Sequence, residues 1–131
     1  MINLIPFEPM HAKQIERQPE QSEEVDMTGC DGYSIVIDGK IYCCIGLIKV
    51  WKDRGRVWSL IDINAGQHMV ALIRTFKKLY KQHKIKRIEI DVKSDFKQGH
   101  RMAKLLGFKR EGTMIKYFDD MNFDLYAKVD G

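Results

Sequence analysis

The stretch Lys86–Met114 constrains the fold most, because it predicts a strand, a short helix and a second strand in one run. Arg87–Val92 alternates polar with β-branched apolar residues, which is typical of a strand. We expect Ser94 or Asp95 to cap the following helix, and Gly107 to end it with a positive φ. The apolar residues of this helix share one face: Phe96, Met102, Leu105 and Leu106.

Three predicted strands precede this unit and are joined by tight turns. Tyr33–Ile37 and Ile41–Val50 flank the dipeptide Asp38-Gly39, which is typical of a two-residue β-hairpin turn. A second polar turn leads into a strand over Arg56–Ile63. These segments predict an antiparallel meander.

The longest predicted helix covers Gln67–His83, because its apolar residues recur at helical spacing. They form one stripe: Met69, Leu72, Ile73, Phe76, Leu79 and Tyr80. Strands are predicted at Ile2–Phe7 and Asn122–Val129. A helix that begins at Pro9 and includes Ile15 follows the first strand.

The order of these elements predicts an α/β (α+β) fold with a mixed sheet. We expect about seven strands with three or four helices, in one domain over residues 1–131. A helical connection after the third meander strand implies a parallel pair within the sheet. The polar run Gln18–Asp31 is predicted to be a surface segment.

Composition argues against several classes of protein. No apolar run approaches the ~18 residues of a membrane-spanning helix, and the N-terminus lacks the pattern of a secretory signal. The chain has three cysteines, of which Cys43 and Cys44 are adjacent. This pattern indicates a reducing compartment, so we expect a cytoplasmic protein. The histidines have no metal-ligand spacing, and no metal site is expected.

The net charge of +4 is unevenly distributed. Residues 1–32 contain seven acidic and two basic residues, whereas Arg74–Arg87 contains seven basic residues and no acid. Such a run is compatible with a phosphate-bearing ligand or nucleic acid, but is more typical of a solvated helix face. Phe76 and Tyr80 belong to the apolar stripe, so no aromatic platform accompanies the charge and nucleic-acid binding is disfavoured.

The element order and the run Arg101–Gly112 (RMAKLLGFKREG) resemble the GNAT superfamily of N-acetyltransferases over nearly the whole chain. The resemblance implies a GNAT-like acyl-CoA N-acyltransferase fold, with acetyl transfer from acetyl-CoA to a primary amine of a small molecule or protein. More narrowly, Leu106–Tyr117 followed by Asp124–Ala127 is similar to small GNAT-like proteins of tailed phages. Some of those are internal virion or core proteins, which implies the host cytoplasm or the virion as location and other virion proteins as partners.

The family binds acetyl-CoA where the fourth strand meets the next helix, because a helix N-terminus offers unpaired N–H groups to a pyrophosphate. The resemblance assigns this site to Ile63, Asn64, Ala65, Gly66, Gln67, His68 and Met69. Family members have an Arg/Gln-x-x-Gly-x-Gly/Ala loop here, whose glycines let the backbone approach the phosphates. In this chain Gln67 and Met69 occupy the glycine positions, so the loop departs from the pattern.

Many family members carry a tyrosine in the helix before the LGF turn, which donates a proton to the departing thiolate. Ala103 stands at that position. The family's base is often a carboxylate on the fourth or fifth strand, which corresponds to Asp62 or Asp91. Burial is expected to raise the pKa of Asp62 toward that of a base, although acids at such positions are more often surface or cap-bonding residues, and the same holds for Asp91. Tyr117 and Tyr126 are alternative proton donors.

Two functions stay open at this point. The first is an N-acetyltransferase whose sheet opens between the fourth and fifth strands to hold acetyl-CoA. The second is a GNAT-like phage protein without catalysis, acting as an internal virion, assembly or host-interaction component, since a fold alone does not carry a function. A free sheet edge at the last strands is compatible with a homodimer.

Overall fold

The computed structural model describes residues 2–17, 19, 31–83 and 85–129, so most of the predicted surface segment Gln18–Asp31 lies outside the described residues. The strands are β1 (Ile2–Pro6), β2 (Tyr33–Ile37), β3 (Lys40–Trp51), β4 (Arg54–Ile61), β5 (Arg87–Lys93), β6 (Lys109–Phe118) and β7 (Met121–Val129). The helices are α1 (Pro9–Ala12), α2 (Met69–Gln82) and α3 (Lys97–Leu105), and a 3-10 turn over Ala65–His68 precedes α2.

The strands form a mixed sheet in the order β1-β2-β3-β4-β5-β7-β6. β4 and β5 run parallel, from the pair Arg54–Arg87 to the pair Val57–Ile90. β1 pairs with β2, β2 with β3, β5 with β7 and β6 with β7 in antiparallel fashion. The predicted mixed α/β fold with seven strands and three helices is therefore confirmed, including the parallel pair that a helical crossover requires.

The chain divides into two compact units. Unit 1 comprises Met1–Ile48 and Trp58–Met69, and unit 2 comprises Lys49–Val57 and Val70–Gly131. A single domain over residues 1–131 stays a prediction.

Unit 1 buries an apolar cluster that includes residues of α1 and of the first strands. Its members are Phe7, Ala12, Ile15, Ile41 and Cys44, with Val36, Trp58 and Leu60 packed against them. The predicted hairpin turn is confirmed, since Asp38 and Gly39 have the positive φ values, 49° and 83°, that a type I′ turn needs. α1 ends at Ala12, so this helix is shorter than predicted, although Ile15 still packs into the cluster.

Unit 2 contains α3, nearly all of α2, the strands β5, β6 and β7, and the first half of β4. The apolar stripe of α2 is confirmed by its buried residues Leu72, Phe76, Leu79 and Tyr80. α2 begins at Met69 and not at Gln67, because the preceding residues form the 3-10 turn. Gly107 follows α3 with a φ of 88°, as predicted for a residue that ends a helix.

The predicted start of α3 is wrong. Its N-cap is Phe96, which makes no side-chain capping bond, and Ser94 Oγ instead donates to Asp124 Oδ1 at 2.8 Å. The predicted apolar face is also wrong in part, since Leu105 is 54% exposed. The buried residues of this segment are Met102, Ala103 and Leu106.

Within the described ranges, no helix is long and apolar enough to span a membrane. Nor do those ranges bring together three His, Cys, Asp or Glu side chains that could hold a metal ion. Cys43 and Cys44 are free, buried thiols, and burial raises the pKa of each. Neither thiol therefore has the depressed pKa of an activated nucleophile.

Candidate functional site

Asp62 follows β4 in unit 1, and its carboxylate accepts hydrogen bonds from backbone on both sides. Oδ2 accepts the Glu16 N–H at 2.9 Å, and Oδ1 accepts the Asn64 N–H at 2.8 Å. The side-chain amide of Asn64 also donates to Oδ1 at 3.0 Å, and Lys40 Nζ lies 3.9 Å from Oδ2. Asp62 is only 2% exposed, so these partners take the place of water.

The pKa of Asp62 is lowered, which is opposite to the direction expected from the sequence. Burial by itself raises this pKa, but the hydrogen bonds from Glu16 and Asn64, together with the charge of Lys40, outweigh burial. A carboxylate held in this way stays ionised and is a weak proton acceptor. Its observed contacts hold the backbone at Glu16 and at Asn64 in place.

The segment Ile63–Met69 is anchored at its beginning and open in its middle. Ile63 N–H donates to the Glu16 carbonyl at 2.9 Å, and Ala65 N–H donates to the Asp62 carbonyl at 3.0 Å. Gly66 and Gln67 are exposed, and a Cβ added at Gly66 would meet no atom within 4 Å.

The end of this segment contains an aromatic contact and the start of a helix. The His68 ring packs edge-on against Tyr42, with 4.7 Å between ring centroids. The 3-10 turn passes into α2 at Met69. The Met69 N–H donates to the Gly66 carbonyl, so the first N–H group of α2 is taken by the preceding turn. Helix N-termini bind anions through N–H groups that lack such a partner.

In unit 2, Asp91 and Tyr117 are brought together by a direct hydrogen bond. The Tyr117 hydroxyl on β6 donates to Asp91 Oδ2 on β5 at 3.0 Å. Arg56 on β4 donates through Nη2 to Asp91 Oδ1 at 3.3 Å, and through Nη1 to the Tyr117 oxygen. Its guanidinium carbon also lies 5.6 Å from the centroid of the Tyr117 ring. The structure thus joins two of the three predicted catalytic residues, while Asp62 belongs to unit 1.

Tyr117 holds its proton more tightly than an ordinary tyrosine. Burial is the largest cause of its raised pKa, and the hydrogen bond to the Asp91 carboxylate adds to it. Arg56 acts in the opposite direction without cancelling the shift. At neutral pH the phenol is therefore a proton donor whose hydrogen already points at a carboxylate.

Glu89, two residues before Asp91 on β5, is a buried carboxylate between arginines that sequence reasoning missed. It is 2% exposed, accepts from Arg54 Nε and Nη2 at 2.9 Å each, and accepts from Arg87 Nε at 2.6 Å. Burial alone raises the pKa of Glu89, but these bonds lower it overall. Arg87 continues the network to Glu111.

A pattern in the sequence could have found this network. Charged residues alternate along both strands, at Arg54 and Arg56 on β4 and at Arg87, Glu89 and Asp91 on β5. In the parallel register Arg54 lies opposite Arg87, and Arg56 lies opposite Glu89. Alternation places these side chains on one face of the sheet, where opposite charges meet.

The other candidates are buried packing residues or are already bonded. Ala103, at the position where the sequence resemblance leads one to expect a tyrosine, is 0% exposed. Tyr126 is 1% exposed, and its hydroxyl lies 2.7 Å from His100 Nδ1. In the basic run, Phe76 is buried, and the charge of Arg87 is compensated by the neighbouring Glu89 and Glu111 carboxylates.

No family model and no curated protein matches the sequence, whereas many solved structures share its fold. Ard1 from Thermoplasma volcanium matches with a TM-score of 0.76 at 17% identity, covering 98% of this chain and 97% of that chain. An acetyltransferase (GNAT family) from Bacillus anthracis matches with a TM-score of 0.72 at 15% identity, covering 98% and 94%.

A third similar structure is the microcin C7 self-immunity acetyltransferase MccE, solved in complex with acetyl-CoA and AMP. It matches with a TM-score of 0.62 at 21% identity, covering 75% of this chain and 59% of that chain. At these identities the likeness concerns the backbone, and it agrees with the sheet order and helices described above. The protein has the fold of the GNAT N-acetyltransferases.

Proposed function

We propose that this protein transfers an acetyl group from acetyl-CoA to a primary amine of a small molecule or protein. The observation that carries the proposal is the GNAT fold, which extends over 98% of the chain in the comparison with Ard1. The hydrogen-bonded pair of Asp91 and Tyr117 supports it, because amide formation from an amine needs both a proton acceptor and a proton donor.

Acetyl-CoA would be held by the segment Ile63–Met69. The exposed Gly66 and Gln67, at the start of a helix, suit an anionic group such as a pyrophosphate. In this account Asp62 is the anchor of the segment and not the base, since its carboxylate is committed to Glu16 and Asn64. When bound, acetyl-CoA supplies the acetyl group in activated form, as a thioester.

Asp91 and Tyr117 would move the protons. Acetyl transfer from a thioester to an ammonium group forms a C–N bond, breaks a C–S bond, and yields a thiol and one free proton. Asp91 accepts one proton of the amine, and Tyr117 gives its hydroxyl proton to the departing sulfur. The two groups are 3.0 Å apart, so Asp91 can return its proton to Tyr117, while the second amine proton leaves to solvent. Arg56 keeps the carboxylate and the phenol oriented.

Calorimetric titration with acetyl-CoA, combined with thermal unfolding, tests the proposal. We expect saturable binding and a raised Tm, because a ligand that binds only the folded state stabilises it. Gly66→Asp should weaken binding by placing a negative charge in the loop, whereas Gly66→Ala is the matched control, since its Cβ meets no atom within 4 Å. The absence of binding at millimolar acetyl-CoA would refute the enzymatic function.

A second candidate is a GNAT-like phage protein without catalysis, located in the virion and bound to other virion proteins. It is favoured by Ala103, which is buried where the family's proton donor stands, and by Gln67 and Met69 at the glycine positions. Mass spectrometry of purified phage particles tests it, and absence of the protein from particles counts against it. We also propose that the protein is a homodimer, which sedimentation tests. A location of the enzyme in the host cytoplasm is a further proposal, which fractionation of infected cells tests.

A further inference from the structure

The ladder between β6 and β7 is interrupted immediately before the turn that joins them. Met114 lies opposite Phe123, and Phe118 lies opposite Met121. Three residues of β6, Ile115–Tyr117, therefore stand against the single residue Asn122 of β7. Bulges of this kind change the direction in which side chains point, and they are frequent beside active sites.

The centre of the bulge has an unfavourable backbone conformation. Lys116 has a φ of 51°, in the left-handed region that a residue with a Cβ rarely adopts. Such a conformation persists only where neighbouring groups hold it. The Lys116 N–H donates to the side-chain oxygen of Asn122, Oδ1, at 3.0 Å.

The residue that follows this conformation is Tyr117. Its hydroxyl reaches Asp91 Oδ2 at 3.0 Å, and its ring packs edge-on against Phe123 with 5.7 Å between centroids. The direction of a side chain depends on the φ and ψ of its own and the preceding residue. Lys116 therefore helps to determine whether the phenol meets the carboxylate.

We propose that Asn122 is a positioning residue, which holds Lys116 in the left-handed conformation and thereby keeps the Tyr117 hydroxyl on Asp91. The proposal rests on the proposed function for its meaning in catalysis. Among the described residues, the Asn122 side chain bonds to the Lys116 N–H and to neither Asp91 nor the phenol, so it acts through the backbone of Lys116.

The test combines Asn122→Ala with the more conservative Asn122→Asp, which retains a side-chain oxygen for the Lys116 N–H. Lys128→Ala, an exposed change in the same strand, is the control. The primary measurement is the NMR titration of ring-labelled tyrosine, with the Tyr117 signal assigned by its loss in Tyr117→Phe. This readout needs no substrate.

In Asn122→Ala we expect the pKa of Tyr117 to fall toward its ordinary value of 10.0, because a phenol that leaves this position loses both its burial, which is the larger cause of the raised pKa, and its hydrogen bond to the Asp91 carboxylate. Asn122→Asp and Lys128→Ala should keep the raised pKa. Acetyl transfer should fall about tenfold in kcat in Asn122→Ala with little change in KM, since misplacing a reacting group by an ångström already slows catalysis strongly.

The double variant Lys116→Gly/Asn122→Ala separates positioning from general destabilisation. Glycine adopts a positive φ without a steric penalty, so it should restore part of the raised pKa and of the rate. An unchanged Tyr117 pKa in Asn122→Ala overturns the proposal, whatever the activity. If the pKa falls as expected but the wild-type protein transfers no acetyl group, the positioning stands and the proposed function fails.

Discussion

Asp62 in unit 1 and Asp91 in unit 2 are carboxylates of the same residue type with opposite surroundings. Asp62 is buried and accepts from the backbone N–H groups of Glu16 and Asn64. Asp91 has a side chain that is 19% exposed and accepts from the side chains of Arg56 and Tyr117. Backbone donors cannot release a proton, whereas a phenol can. The group that donates a hydrogen bond to the carboxylate therefore determines whether that carboxylate is structural or can exchange protons.

Among the substitutions of Asp62 and Asp91, Asp62→Ala should lower the free energy of unfolding most. It leaves the N–H groups of Glu16 and Asn64 without their acceptor, so the free energy of unfolding should fall by roughly 3 kcal/mol. Urea denaturation measures the loss. Asp95→Ala removes an exposed carboxylate and should cost less than about 0.5 kcal/mol. Equal losses in the two variants would contradict the anchoring role of Asp62.

Asp91→Asn should have its main effect on the reaction. The amide cannot accept a proton, so acetyl transfer should fall about 100-fold in kcat, the usual range for removal of an acid–base group. Tyr117→Phe should cause a similar loss, because it removes the donor. Assays of thiol release from acetyl-CoA with a series of primary amines measure both, and an unchanged rate in both variants would remove this pair from the mechanism.

Ala103→Tyr tests whether a tyrosine can act as proton donor at the position that the sequence resemblance indicates. Ala103 is fully buried, so the larger side chain should overpack the unit and lower the free energy of unfolding by about 2 kcal/mol. We expect no gain of activity. Thermal unfolding and the thiol-release assay together measure the result, and a stable, faster variant would show that the position opens into the site.

The pH dependence of stability should also test the role of Asp62. The pKa of Asp62 in the folded state lies below its ordinary value of 3.8, so its stabilising contribution is complete above that value and is lost as the pH falls through the folded pKa. The difference in unfolding free energy between wild type and Asp62→Asn should therefore shrink as the pH is lowered below about 4. A difference that grows on acidification would mean that the pKa of Asp62 is raised.

Much of the fold was predictable because its signals are local. The Asp38-Gly39 turn and Gly107 follow from backbone freedom, and the stripe of α2 follows from helical periodicity. The start of α3 was missed because Ser94 donates to Asp124, a residue distant in sequence. Local capping rules cannot anticipate such a competing partner.

For the candidate site, the sequence predicted which residues could take part but not which partners they contact. The sequence indicated Asp62, Asp91 and Tyr117, but the partner of a carboxylate is set by the register of strands far apart in the chain. The pKa of Asp62 was therefore expected in the wrong direction, because backbone donors leave no trace in the amino-acid pattern. The bulge that holds Tyr117 has no glycine to mark it, since its positive φ falls on Lys116.

The central claim is that Asp62 anchors the segment Ile63–Met69, where we propose that acetyl-CoA binds, whereas Asp91 takes part in proton transfer. Steady-state thiol release by Asp62→Asn and Asp91→Asn, at a temperature where both variants are folded, tests it most directly. We predict that Asp62→Asn raises the KM for acetyl-CoA with little change in kcat, and that Asp91→Asn lowers kcat with little change in KM. The reverse assignment of kcat and KM effects, or wild-type protein that releases no thiol with any amine, would contradict the account.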